Sequence, residues 1–129
     1  MNGRYLLDSN IVIAFFAGEA RVRNSLAMAQ EVFLPSTGIG ELYYGAQKSG
    51  KPNENIARID ELVLTNVVLA CDSETARQYG GIKNTLRIKG HPLPENDIWI
   101  AALARQHGLT LVTRDTHFEQ IEGLSVAMW

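Results

Sequence analysis

The sequence contains a single cysteine, Cys71, and no large excess of charge of either sign. With one cysteine the chain cannot form an internal disulfide, and the thiol beside the apolar run Val67 to Ala70 is expected to be buried. Twelve Lys and Arg against fourteen Asp and Glu give a formal net charge of −2, which excludes the broad positive field of a nonspecific nucleic-acid binder. Any contact with nucleic acid must therefore be local, and a reducing cytoplasmic location is expected.

Long hydrophobic runs are also missing. The apolar stretch Ile11 to Ala17 covers only seven residues and follows Asp8, which is a poor match to a secretion signal. No uncharged apolar run approaches the roughly 18 residues that span a bilayer, so no membrane segment is expected. The hydrophobic fraction of 46% is nevertheless sufficient for a packed core, and we expect a single domain over residues 1–129.

Short apolar segments alternate along the chain with longer segments of helical period. The predicted strands are Tyr5 to Leu7, Val32 to Leu34, Val67 to Leu69, Leu109 to Val112 and Ser125 to Ala127. The predicted helices are Ile11 to Phe16, Arg21 to Gln30, Ile39 to Lys48, Ile56 to Leu64, Glu74 to Ile88 and Asp97 to His107. This alternation indicates a three-layer α/β/α fold with a mainly parallel sheet of about five strands. Gly and Pro predict loops at Ser49 to Asn53 and Gly90 to Pro94.

One predicted helix should be buried rather than amphipathic. Its segment Ile98 to Ala104 is apolar around the whole circumference. Asp97 lies in the first turn of this helix, so a carboxylate stands at the end of a core element. Such a carboxylate needs a partner that stabilises its charge.

Three of the five aspartates occupy similar places in the predicted fold. Asp8 and Asp115 directly follow strands, and Asp97 begins a helix. Because functional groups gather beyond the carboxyl ends of parallel strands, Asp8 and Asp115 would share one edge if their strands are neighbours. Glu41 is the fourth candidate, since it is the only charge between Val32 and Gln47.

Each acid also has a purely structural interpretation. Asp8 and Asp97 could stabilise helix N-termini. Asp115 could accept hydrogen bonds in a turn, and Glu41 could face water. If the four carboxylates converged to about 5 Å, however, each pair would repel by roughly 3 kcal/mol at an effective dielectric near 20, and a cation or bound protons would be required. Oxygen ligands favour Mg²⁺ or Mn²⁺ over zinc, and no histidine or cysteine ligand is expected in these motifs.

Four segments, taken in order, resemble the PIN-domain family and specifically the VapC-type toxins of bacterial toxin–antitoxin pairs. They are L-L-D-S-N at 6–10, G-E-L-Y-Y-G at 40–45, E-N-D-I-W-I-A-A-L-A at 95–104 and L-V-T-R-D-T-H-F at 111–118. The resemblance covers essentially the whole chain. It implies a parallel sheet that gathers acids around Mg²⁺ or Mn²⁺, endoribonuclease activity, and a small antitoxin that blocks the site.

The same resemblance assigns roles to individual residues. The acidic constellation would be Asp8, Glu41, Asp97 and Asp115, with Asp8 and Asp97 as the expected direct metal ligands. The supporting polar residues would be Asn10, Asn96 and Thr113. Gly40 departs from the family pattern, in which a hydroxyl or bulkier residue is common beside the glutamate, so the packing there is not predicted.

The implied chemistry is in-line attack of a metal-activated water on an RNA phosphodiester, without a protein nucleophile. RNA must then approach an acidic cluster, so basic residues should flank it. The candidates are Lys83, Arg87, Lys89 and Arg114, and their alternative interpretation is a solvated helix face. The family commonly forms homodimers; Tyr43, Tyr44 and Trp129 could serve such an interface or belong to the core.

Other classes of function are less well matched. A phospho-accepting receiver domain would use Asp72, but it requires adjacent acids after the first strand and a lysine after a late strand, and both are absent. A metal-independent ribonuclease would use histidines as acid and base, and the chain offers His91, His107 and His117. That mechanism would leave a cyclic or 3′-phosphate and would survive chelation. A PIN-fold RNA-processing nuclease that is not a toxin, and a catalytically silent binding module, are further alternatives.

Overall fold

Five strands and six α-helices alternate along residues 3–129, the part of the chain that the computed structural model describes. The strands are β1 (Arg4–Leu7), β2 (Glu31–Pro35), β3 (Val67–Leu69), β4 (Thr110–Val112) and β5 (Val126–Ala127). The helices are α1 (Ser9–Phe16), α2 (Ala20–Met28), α3 (Ser36–Gln47), α4 (Pro52–Thr65), α5 (Ser73–Lys89) and α6 (Glu95–His107). A 3₁₀ turn covers Thr116–Gln120.

The five strands form one sheet in the order β3-β2-β1-β4-β5, and every neighbouring pair is parallel. The predicted α/β fold with a parallel sheet of five strands is therefore confirmed. The chain runs from β1 outward to β2 and β3, and then crosses back to β4 on the other side of β1. The strand order thus reverses between β1 and β4, and a crevice beyond the carboxyl ends is expected at this point.

Two hydrophobic cores cover the two faces of the sheet, because successive strand residues point to opposite sides. Leu6 of β1 and Leu111 of β4 pack against buried residues of α5 and α6. Their neighbours Leu7 and Val112 pack on the other face, against buried residues of α1, α3 and α4. The central strands are thus buried on both sides, which completes the three layers.

Helix α6 is the buried helix that the sequence predicts. Its residues 98 and 100–104 are 2% exposed or less, and the helix ends at Gly108, whose φ of +64° is the left-handed conformation of a C-cap. Burial of the helix body fixes its first turn, and with it Asp97, relative to the sheet. Within residues 3–129 no helix, α6 included, combines the length and apolar character needed to span a membrane.

Some predicted boundaries and one predicted burial are wrong. Helix α3 begins at Ser36, three residues before the predicted start. Helix α4 begins at Pro52, so the predicted loop ends two residues early, because proline fits the first turn of a helix. Cys71 is exposed rather than buried, because it lies beyond the short edge strand β3. The loop at residues 90–94 between α5 and α6 is confirmed.

The 3₁₀ turn after β4 is anchored by Phe118, which is fully buried in the core beside α6. We expect Phe118→Ala to lower the free energy of unfolding by about 3–5 kcal/mol, since it leaves a cavity in a packed core. Leu64→Ala is the control, because Leu64 is 85% exposed, and it should cost less than about 1 kcal/mol. Urea denaturation measures both changes. Equal losses in the two variants would contradict the anchoring role of Phe118.

Candidate metal centre

Asp8 lies directly after β1 and is only 5% exposed. Its Oδ1 accepts a hydrogen bond from the Ser9 backbone N–H at 2.9 Å, as the N-cap of α1. Its Oδ2 accepts from the Thr113 hydroxyl at 2.8 Å. Burial raises the pKa of Asp8, and the hydrogen bonds from Thr113 and Ser9 only partly oppose this effect. The capping interpretation thus accounts for Oδ1 of Asp8. It does not account for Oδ2, which bonds Thr113 at the edge of the sheet.

Thr113 and Asn10 connect the end of β1 with the end of β4. Thr113 is fully buried, and its hydroxyl oxygen accepts the backbone N–H of Asp115 at 3.1 Å while it donates to Asp8. The Asn10 amide lies 3.4 Å from both Asp8 Oδ2 and Thr113 Oγ1, and its carbonyl accepts the Arg114 N–H at 3.3 Å. Because β1 and β4 are neighbours, Asp8 and Asp115 lie at one edge of the sheet.

His117 stands between two of the other acids. Its Nε2 is 3.0 Å from Asp97 Oδ2, and its Nδ1 is 2.7 Å from Asp115 Oδ1. One donor atom from each of the three residues lies within 4.8 Å of the others, which is close enough for a shared metal ion. The sequence predicts no histidine ligand in these motifs, yet His117 lies within reach of an ion shared with Asp97 and Asp115. The available signal was the Asp-x-His spacing directly after β4.

Glu41, on α3, is the most exposed of the four acids. Partial burial and repulsion from Asp8 and Asp97 raise its pKa, while hydrogen bonds from Asn96 and Ser9 act in the opposite direction. Asn96 also donates to the backbone carbonyl of Thr37 at 3.3 Å, which ties α6 to α3. The sequence did not predict the contact of Ser9 with Glu41, because a serine at the start of a helix is explained by the helix itself and does not indicate a functional site.

The four carboxylates act on one another electrostatically. Burial raises the pKa of Asp97, and repulsion from Asp8 and Asp115 adds to this effect, although the contact with His117 opposes it. Asp115 likewise adds to the raised pKa of Asp8. A bound cation would relieve both the desolvation and the repulsion. The carboxylates are oxygen donors of the kind that Mg²⁺ and Mn²⁺ prefer.

The predicted RNA-binding cations all have partners on the protein surface. Lys83 contacts Glu95 and the Tyr79 hydroxyl, Arg87 donates to Asn84, and Lys89 pairs with Glu122. The Arg114 guanidinium makes two contacts with Glu19, at 2.7 and 3.1 Å, although Arg114 adjoins Asp115 in sequence. Lys83 and Arg87 also line a cavity of about 620 Å³ that reaches Ile98, next to Asp97.

Residues of the competing interpretations have structural roles. Asp72 forms a capping box with Thr75 at the start of α5 and accepts a hydrogen bond from Gln106. His107 lies in the last turn of α6, about 15 Å along the helix from Asp97, so it cannot pair with His117.

The aromatic residues that were candidates for an interface differ in their surroundings. Tyr43 donates its hydroxyl to Asp60, and Trp129 packs edge-on against Tyr5. Tyr44 is the exposed one of the three.

Comparison with known proteins identifies the family. Residues 5–124 match the PIN domain. The chain is 37% identical to Ribonuclease VapC2 of Haemophilus influenzae and 36% identical to the tRNA(fMet)-specific endonuclease VapC of Shigella flexneri, with 98% of each chain covered in both cases. A similar fold occurs in the crystal structure of DNA-bound VapBC from Salmonella typhimurium, at a TM-score of 0.91 and 30% identity, covering 100% of this chain and 99% of that chain. The chain therefore belongs to the PIN-domain family, among its VapC-type members.

Proposed function

We propose that the chain is a metal-dependent endoribonuclease and the toxin of a toxin–antitoxin pair. The observation that carries this proposal is the proximity of four acids: Asp97 and Asp115 share the contact with His117, and burial and repulsion from neighbouring acids raise the pKa values of Asp8, Glu41 and Asp97. The names of the VapC relatives, which include ribonuclease and tRNA endonuclease, support an RNA phosphodiester as the substrate.

Asp8 and Asp97 are the proposed direct ligands of Mg²⁺ or Mn²⁺, with Glu41 and Asp115 beside them. When bound, the ion supplies a water of lowered pKa and neutralises charge on the phosphate. The residues of the chain orient the ligands: Thr113 and the Ser9 N–H hold Asp8, and Asn96 holds Glu41. No side-chain nucleophile is required, and the products should carry a 5′-phosphate and a 3′-hydroxyl.

The basic residues Lys83, Arg87, Lys89 and Arg114 are proposed to guide RNA to this edge. Their present partners do not prevent this role, because ion pairs between exposed side chains contribute little to stability and are readily exchanged for phosphate. The cavity lined by Lys83 and Arg87 also reaches Glu95 and Ile98 near the start of α6, the helix that carries Asp97. This placement supports a local RNA contact on a protein with a net charge of −2.

The proposed partner is a small antitoxin, by analogy with the VapBC complexes of similar fold. A groove of about 340 Å³ includes Glu41 in its lining, together with Ser9, Ile13, Phe16 and Leu42, among others. Ile13 is 59% exposed there. An apolar segment of the antitoxin would fill the groove and place an Arg or Lys among the carboxylates.

Self-association to a homodimer is part of the same proposal, with the exposed Tyr44 as a candidate contact.

Tag-free protein should cleave total tRNA only when Mg²⁺ or Mn²⁺ is present. Asp8→Asn and Asp97→Asn should each lower kcat by about a hundredfold or more, because each removes a ligand charge without changing volume. Asp60→Asn is the matched control, because Asp60 accepts a hydrogen bond from the Tyr43 hydroxyl and is not one of the four clustered acids. Cleavage that continues in excess EDTA, or products that end in a 3′-phosphate, would overturn the metal mechanism.

The stability of the metal-free protein should depend on pH through its buried acids. Asp8, Glu41 and Asp97 have raised pKa values, so the native state keeps protons that the unfolded state has lost. Their contribution therefore favours folding below the ordinary carboxyl range, falls as the pH rises through the raised native values, and stays low above them. Mg²⁺ should restore the loss, because it binds only the native state.

Asp8→Asn tests this effect, since asparagine removes the charge and keeps an oxygen for the Ser9 N–H, while its amide nitrogen replaces the oxygen that accepts from Thr113. Exposed acids in ion pairs or caps, such as Asp72 and Glu95, have lowered pKa values and act with the opposite sign. Because these acids are present in both proteins, we compare the melting temperatures of Asp8→Asn and wild type in EDTA. The variant should gain several degrees at neutral pH and nothing in acid. A variant less stable than wild type at every pH would contradict unrelieved repulsion at Asp8.

Controlled expression of the chain should arrest growth, and co-expression of its antitoxin should relieve the arrest. Ile13→Asp should weaken antitoxin binding about tenfold or more, because it places a charge in the apolar groove. Leu64→Asp is the control, at a residue that is 85% exposed and outside the groove. Titration calorimetry measures both affinities. Normal growth with abundant folded protein would count against a toxin.

A further inference from the structure

The imidazole of His117 has different surroundings at its two nitrogen atoms. Nδ1 is 2.7 Å from Asp115 Oδ1, and Nε2 is 3.0 Å from Asp97 Oδ2. A neutral imidazole carries one ring hydrogen. When that hydrogen is placed on Nδ1, it is donated to Asp115, and the lone pair of Nε2 is directed toward the Asp97 carboxylate.

We propose that Nε2 of His117 is a ligand of the divalent cation together with Asp97, and that Asp115 orients the imidazole. The inference rests on the proposed metal-dependent function. A carboxylate that accepts the second ring N–H is the usual companion of a metal-bound histidine. Nε2 and Asp97 Oδ2 are 3.0 Å apart, so both atoms would be close enough for one ion to be held by the two residues.

The backbone holds the imidazole in this place without help from an ion. Asp115 caps the 3₁₀ turn, and its Oδ1 accepts the backbone N–H of His117 at 3.3 Å. The N–H of Asp115 is bonded to the buried hydroxyl of Thr113 at 3.1 Å. On the other side, Phe118 is fully buried in the core. His117 is therefore fixed from both neighbours, as a metal ligand should be, rather than being a free surface side chain.

A nitrogen ligand has a consequence for the identity of the metal. Carboxylates and water suit Mg²⁺, whereas imidazole raises the affinity for first-row transition metals. We therefore expect the site to bind Mn²⁺ more tightly than Mg²⁺, and the difference to depend on His117. Asp115 acts through the imidazole, so its loss should weaken the site without removing a ligand.

The test uses Mn²⁺ as the probe and pulsed electron paramagnetic resonance on tag-free protein. The chain contains three histidines, so the double variant His91→Gln/His107→Gln leaves His117 as the sole imidazole. We expect Mn²⁺ bound to this variant and to wild type to show the coupling of a directly bound ¹⁴N. His117→Gln should abolish the coupling and weaken Mn²⁺ binding about tenfold or more, with a smaller effect on Mg²⁺. Asp115→Asn should weaken Mn²⁺ binding by about 10- to 100-fold.

The possible failures are distinguishable. Bound Mn²⁺ without ¹⁴N coupling in wild type overturns the ligand assignment, while RNA cleavage that still requires Mn²⁺ leaves the proposed function standing. Unchanged Mn²⁺ affinity in a folded His117→Gln variant would likewise overturn the assignment of His117 as a ligand. Absence of any Mn²⁺ binding overturns both proposals. If His117→Gln does not fold, the double variant alone decides the assignment, because its coupling has no other histidine source.

Discussion

The parallel pairing of β1 with β4 is the constraint on which the acidic cluster depends. It brings Asp8 and Thr113 side by side, although they are 105 residues apart in sequence, and the Thr113 hydroxyl then bonds the buried oxygen of Asp8. The reversal of strand order at this pair leaves the edge open instead of covering it with a crossover helix. Helices α3 and α6 approach the same edge and bring Glu41 and Asp97.

Gathering acids in a partly buried place opposes folding, and the surrounding residues offset that cost only in part. Hydrogen bonds from Thr113, Ser9 and Asn96 stabilise the charged forms, yet the pKa values of Asp8, Glu41 and Asp97 remain raised. Each acid is therefore supported without being neutralised. The two hydrophobic cores, one on each face of the sheet, stabilise the fold and offset the unfavourable free energy of the clustered acids. A cation bound among these acids would relieve the remaining desolvation and repulsion.

The positive charges of the chain are distributed differently from the acids. Arg114 forms an ion pair with Glu19, and Lys83 forms one with Glu95, so these two cations do not neutralise the acidic cluster. The imidazole of His117, by contrast, contacts Asp97 and Asp115 directly. This separation would keep the carboxylates available to the proposed metal ion and leave Arg114 and Lys83 able to exchange their partners for phosphate groups.

The sequence by itself determined the elements and the fold class, because those depend on local patterns. Alternating apolar segments predict the five strands, and the uniformly apolar run at 98–104 predicts the buried helix α6. Local patterns also mark acids at strand and helix ends. The resemblance of four ordered segments identified the family, which the match over residues 5–124 confirms.

Only the tertiary structure decided which of these groups meet. The neighbours of β1 depend on the path of the chain, which no local pattern contains. The same holds for Cys71, whose exposure depends on β3 being an edge strand. His117 joins the acids because the first turn of α6 is packed beside the turn after β4, so a residue read as one of three scattered histidines contacts Asp97. Residues distant in sequence become neighbours through packing, and their shared electrostatics exist only in the folded chain.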